Sequence, residues 1–186
     1  MKFASLSYLG EGNDRQQSAY RTLQGLGLFN YLSAYCPVLT GTVPLGIDVD
    51  TSDLDICCEA HDRPSFIDFV SSRYGHLTGF CVDSNSAPQF STIIRFSYQK
   101  WLIELFGQSL PAIRQHAYRH MMVEHRILQL ADANFHRKVR ELKQRGVKTE
   151  PAFAQLLNLL GDPYQAVLDL ENYADGQLRQ LLAKGG

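Results

Sequence analysis

Asp53-Leu54-Asp55-Ile56 is the stretch of this chain whose residue types and spacing point most directly to chemistry. It alternates as a strand does, and on a strand residues i and i+2 face the same way. Asp53 and Asp55 then stand side by side while Leu54 and Ile56 turn toward a core. Two carboxylates held this close repel each other unless a cation lies between them. A hard cation such as Mg²⁺ takes oxygen donors and is often held by one or two carboxylates together with substrate phosphates. Acidic pairs of the same spacing also occur on the solvent side of edge strands, so the surroundings decide the reading.

Two other segments bear on it. Leu39-Thr40-Gly41-Thr42 ends a short strand in a Gly-containing turn, ten residues before Asp53. Gly41 lets the backbone approach a ligand closely, and Thr42 sets a hydroxyl beside backbone N–H groups, which suits phosphate oxygens. Taken alone, Gly41-Thr42 is an ordinary tight turn. Glu104 interrupts the otherwise apolar run Trp101-Leu102-Ile103-Glu104-Leu105-Phe106. A carboxylate there needs a partner or suffers desolvation. It faces the same metal site as Asp53 and Asp55 if the two strands are neighbours. The other reading is a salt bridge to Arg95 or Lys100 across a hairpin.

The elements that would position these groups follow from periodicity and turn chemistry. Residues 14–35 carry apolar groups at helical spacing, with Asn13 or Asp14 as N-cap and a break at Gly25 and Gly27. Residues 1–13 form a lead-in from which Phe3, Leu6, Tyr8 and Leu9 can dock. Val38 to Thr40 is a strand, 43–52 an irregular loop, and Asp53 to Cys58 the central strand. Pro64 to Tyr74 is an amphipathic helix, Gly79 to Val82 a strand, and 83–90 a polar loop. Ser91 to Tyr98 and Trp101 to Phe106 form a hairpin about Gln99-Lys100. From Pro111 onward the pattern is helical, near 111–115, 117–144, 150–160, 163–169 and 171–184, with Pro151 in a first turn and Gly161 as a C-cap. The expectation is an α+β fold: an α/β core over 1–110 built on a small mixed sheet with flanking helices, then a helical bundle region over 111–186.

At the residues quoted first, the chain resembles the polymerase-beta-like nucleotidyltransferase superfamily. The pattern there is a hydrophobic residue, Gly, and Gly or Ser, a spacer of about ten residues, Asp-hydrophobic-acid-hydrophobic, and a third acid on a later strand. Here it reads Thr40-Gly41-Thr42, Asp53-Leu54-Asp55-Ile56 and Glu104. Thr42 stands where Gly or Ser is usual, and Glu104 where Asp is frequent. The segment Gly41 through Asp55, with Gln115-His116-Ala117-Tyr118-Arg119-His120-Met121 downstream, looks like a bacterial domain-of-unknown-function family in that group, DUF4269. The resemblance implies transfer of a nucleoside monophosphate from a nucleoside triphosphate to an acceptor such as a small molecule, an RNA end or a protein. It implies two Mg²⁺ ions, with Mn²⁺ as a substitute, held by Asp53, Asp55 and Glu104. Glu104 would help to take the acceptor's proton. Gly41, Thr42, Ser52, Arg119 and His120 would bind the nucleotide.

Composition narrows the alternatives. Hydrophobic residues make up 45% of the 186 and charged residues 20%, which is a globular rather than a disordered balance. A net charge of −1 gives no broad basic footprint for long nucleic acid. No apolar run approaches a membrane span and no secretory signal opens the chain, so a cytoplasmic protein is expected. Cys36, Cys57, Cys58 and Cys81 lack metal-type spacing and read as reduced, small hydrophobes.

Weaker signals remain. Asp48 and Asp50 read as solvated loop acids that could enlarge the anionic site. His116, His120 and Glu124 recur every four residues on one helix face, with Arg119 on another and Arg126 one period further along. These groups could contact phosphates or the acceptor, or form pairs on a partly exposed helix. Phe90, Phe96, Trp101 and Phe106 could stack on a base, although aromatic residues in strands are usually core. The Leu-rich C-terminal helices suit bundle packing or a protein partner. Beside the transferase stand two other readings: a nucleotide- or partner-binding module without turnover, and one member of a toxin–antitoxin-like pair.

Overall fold

The computed structural model describes residues 3, 5–83 and 91–185. Most of the loop expected over 83–90, and Phe90 with it, lies outside these. The chain divides into two compact units, Met1–Gly46 with Ser52–Tyr118, and Ile47–Thr51 with Arg119–Gly186.

The first unit is built on a five-stranded mixed sheet. In chain order its strands are β1 (Val38–Thr40), β2 (Leu54–Glu59), β3 (Cys81–Asp83), β4 (Ser91–Tyr98) and β5 (Trp101–Gln108). Their spatial order is β1-β2-β5-β4-β3, and only the β2–β5 pair is parallel. Alternation sends Leu54, Ile56 and Cys58 of β2, Ile103 and Leu105 of β5, and Ile94 and Phe96 of β4 into one core. That core is shared with α1 (Ser7–Gly10), α2 (Asp14–Leu26), α3 (Leu28–Tyr31) and α4 (Arg63–Tyr74), through Leu9, Leu23, Leu28, Phe66 and Val70. Phe3, Leu6 and Leu9 are buried, so the lead-in docks as expected. Trp101 and Phe96 are core residues and are not placed for stacking on a base.

Helix α2 begins in a capping box. The Asn13 side chain accepts from the Gln16 backbone N–H at 2.9 Å, and the Gln16 side-chain Oε1 accepts from the Asn13 backbone N–H at 3.1 Å. Gln16 also donates to the Val43 carbonyl at 2.8 Å, tying the cap to the loop that follows β1. Asn13→Ala is expected to cost ~1 kcal/mol of stability, read as a lowered midpoint in urea at unchanged slope. Of the two glycines expected to end this helix, Gly27 does so and Gly25 stays inside it.

The second unit is helical, with α5 (His116–Leu130), whose first three residues fall in the first unit, α6 (Ala133–Gln144), α7 (Thr149–Leu156), α8 (Pro163–Asp169) and α9 (Asp175–Gly185). Val123, Ile127, Leu128, Val139, Phe153, Val167, Leu168 and Leu178 are buried. Two expectations need correction. The helix expected over 117–144 is two helices, because the Asp132 side chain accepts from the Phe135 N–H at 2.8 Å and starts α6 afresh. The helix expected to reach Gly161 stops at Leu156. Asn158, in the left-handed region, turns the chain so that the Leu159 N–H reaches the Ala154 carbonyl at 2.9 Å. Smaller shifts place β3 at 81–83 rather than 79–82, and a single 3-10 turn at Ala112–Arg114. None of the helices among the described residues is long and apolar enough to cross a membrane.

Cys57 and Cys58 are buried, and burial pushes the Cys57 thiol up to about 12. Cys36 and Cys81 are exposed, so only two of the four behave as small hydrophobes; none of the four is in a disulfide.

Candidate active site

The register of the sheet assembles the site. Thr40 lies opposite Asp55 across β1–β2, Asp55 opposite Glu104 across β2–β5, and Glu104 opposite Arg95 across β5–β4. Partners in register share a face. Thr40, Asp55, Glu104 and Arg95 therefore form one polar row on the side of the sheet away from the core. Asp53 immediately precedes β2, two residues before Asp55. Carboxylate oxygens of Asp53, Asp55 and Glu104 lie within 4.8 Å of one another, and all three residues are half-buried.

The turn after β1 closes over this cluster. Gly41 has φ +75°, and a Cβ built on it would lie 2.5 Å from Asp55 Oδ2. Only glycine leaves room for the carboxylate to stand so close to the backbone. The Thr42 hydroxyl donates to the Ser52 hydroxyl at 3.4 Å, linking the turn to the residue before Asp53. Thr40 Oγ1 donates to the Asp55 carbonyl at 3.3 Å. Gly41, Thr42, Ser52, Asp53, Asp55 and Glu104 are thus neighbours within the first unit.

Arg95 completes the row beside Glu104. Its Nε donates to Glu104 Oε1, and its NH1 lies 3.7 Å from Asp83 Oδ2. The bond to Glu104 holds the guanidinium more firmly in its charged form, against the opposing effect of burial. Glu104 neighbours the two aspartates and also pairs with Arg95 across the hairpin.

An all-oxygen set of three carboxylates within 4.8 Å, with a glycine cradle against one of them, fits a hard divalent cation. The same three oxygens without a cation would repel, and Arg95 offsets only the Glu104 end of the cluster.

The other candidates lie in the second unit. Arg119 donates to Glu171 through Nε at 3.1 Å and through NH2, and Arg126 donates to Asp175 Oδ1 at 2.7 Å. These pairs run between elements rather than along α5. His120 is 7% exposed and packs edge-on to Tyr164, with ring centroids 6.5 Å apart. His116 is exposed, so the face it was expected to share with His120 and Glu124 is divided between solvent and interior. Asp48 is buried and not a solvated loop acid; Asp50 is exposed.

Comparison with known proteins gives a family and a fold. Residues 21–170 match the family model described as domain of unknown function DUF4269. No curated protein matches the chain by sequence. Among solved structures it is similar to the Cid1 poly(U) polymerase with Mg and 3′-dATP bound, at 14% identity and a TM-score of 0.56, over 87% of this chain and 52% of that one. A second Cid1 structure, described in connection with RNA terminal uridylyl transferase activity, aligns at 14% identity and TM-score 0.57 over 93% of this chain and 64% of that one. GLD-2 in the GLD-2/RNP-8 complex aligns at 11% identity and TM-score 0.54, over 96% of this chain and 81% of that one. The fold is that of the polymerase-beta-like nucleotidyltransferases, and the chain spans about half the length of the first of these Cid1 chains.

Proposed function

The chain belongs to the DUF4269 family, and from that membership and its fold we propose that it is a divalent-metal-dependent nucleotidyltransferase, moving a nucleoside monophosphate from a nucleoside triphosphate to an acceptor hydroxyl with release of pyrophosphate. One observation carries the reading: carboxylates from two neighbouring strands and the residue before them converge within 4.8 Å beneath a glycine turn. Asp53, Asp55 and Glu104 would hold Mg²⁺, or Mn²⁺ in its place. Such an ion, when bound, would neutralise triphosphate charge and lower the pKa of the acceptor hydroxyl. The residues of the chain do the rest. Gly41, Thr42 and Ser52 receive phosphate oxygens through backbone and hydroxyl donors. Glu104, which comes from a different strand than the aspartates, takes the acceptor's proton. Arg95 orients Glu104 by holding Oε1 and leaves Oε2 for that work. Arg119 and His120 are not needed in this arrangement, since Arg119 is engaged with Glu171 and His120 is buried.

The likeness to a poly(U) polymerase makes an RNA 3′ end the first acceptor class to test. The experiment is transfer of an α-³²P-labelled nucleoside triphosphate to short RNA, with Mg²⁺ and with chelator. Labelled RNA that depends on Mg²⁺ is expected. The Arg95–Glu104 ion pair favours one second reading, a nucleotide-binding module in which Glu104 is already occupied. Mg²⁺- and nucleotide-dependent thermal stabilisation without transfer to RNA, small molecules or protein would select it.

A further inference from the structure

The second unit contains a cluster that the proposed reaction does not use. His120 and Glu124 are four residues apart on α5, and so lie one above the other on the helix. Glu150 is the second residue of α7. One donor atom from each lies within 4.8 Å of the other two. Glu124 is 3% exposed, and its Oε1 is buried with no hydrogen-bond partner. A buried carboxylate oxygen without a donor is unfavourable unless something neutralises it.

Burial and then the neighbouring Glu150 push the Glu124 carboxyl up to about 8, and Lys143 opposes them. Lys143 donates its ammonium to Thr149 Oγ1 at 3.0 Å, which anchors it beside the first turn of α7.

We propose that His120, Glu124 and Glu150 form a second metal site, for a divalent ion of the zinc type, that ties α5 to α7. The donor set differs in kind from that of the triad Asp53, Asp55 and Glu104. One imidazole nitrogen with two carboxylates suits Zn²⁺ and its first-row neighbours, whereas Mg²⁺ and Ca²⁺ prefer oxygen throughout. Ligand bonds of about 2.0–2.2 Å place donors roughly 3.4 Å apart in a tetrahedral site. The Tyr164 ring against His120 limits the imidazole's rotation. The site is independent of the proposed transferase reaction.

The test uses the full chain, stripped with chelator, and Co²⁺ and Zn²⁺ as probes. One equivalent of Co²⁺ should give visible d–d absorption, displaced by Zn²⁺ and not by millimolar Mg²⁺. Zn²⁺ should raise Tm by several degrees. Glu150→Gln, at a half-buried position, should keep the metal-free Tm and weaken Zn²⁺ at least tenfold; Glu124→Gln should weaken it likewise. The double variant Asp53→Asn/Asp55→Asn should bind Co²⁺ as the parent does, which separates this site from the triad. Absence of a Co²⁺ spectrum, unchanged affinity in Glu150→Gln, or loss of the spectrum in the Asp53/Asp55 variant each overturns the proposal.

Discussion

Asp55→Asn is expected to abolish the stabilisation of the chain by Mg²⁺ and nucleoside triphosphate, and to lower nucleotidyl transfer by at least ~10²–10³-fold. That is the scale for losing one group that stabilises developing charge. Asp55 is the carboxylate with the most neighbours in the row, set between Thr40 and Glu104 and beneath Gly41. Its amide would remove one negative charge and turn one ligand oxygen into a donor. Asp53→Asn should act in the same direction. The metal-free Tm of Asp53→Asn should not fall, because removing one of three mutually repelling carboxylates relieves the cluster. Loss of binding with no loss of folding is the signature of a ligand. A Mg²⁺ response in Asp55→Asn equal to that of the parent would remove the triad from the reaction.

The second large effect comes from a residue that is no ligand. Gly41→Ala leaves every carboxylate in place, yet its Cβ would sit 2.5 Å from Asp55 Oδ2. Either the turn or the carboxylate has to move. The left-handed backbone at φ +75° adds ~1–2 kcal/mol for any side chain. Gly46→Ala separates the two contributions. Gly46 has φ +70°, but the nearest atoms to its Cβ would be 3.8 and 3.9 Å away. Both variants should lose a similar amount of stability, and only Gly41→Ala should lose the Mg²⁺ and nucleotide response. Thermal melts with and without ligand measure both quantities. An equal response in the two variants would mean that the close approach to Asp55 is incidental.

What could be read in advance depended on distance along the chain. Asp53 and Asp55 were legible because the i, i+2 rule is local. The Gly41 turn was legible because a strand ending in Gly-Thr is a local signal too, although its contact with Asp55 was not. The place of Glu104 required the parallel β2–β5 pairing, which joins residues 49 positions apart. No periodicity within either strand encodes which strand lies beside it. Arg95 could be named only as one of two partners, since the hairpin fixed the pairing but not the rotamer. The break at Asp132 was missed because neither Gly nor Pro marks it; a side-chain cap alone restarts the helix. Glu150 was overlooked because an acid in the first turn of a helix is ordinary there, and only its tertiary approach to His120 and Glu124 gives it neighbours.

The polar row across β1, β2, β5 and β4 also makes the site a gauge of folding fidelity. Its members come from separate strands and meet only in one register, and a slip of a single residue would turn Asp55 or Glu104 to the opposite face. A sheet in which β2 and β5 are not yet paired therefore offers an ion the two aspartates alone, and the third donor arrives only with that pairing. Titrating the cation during refolding would count the molecules whose β2–β5 register is right, whatever reaction the site serves.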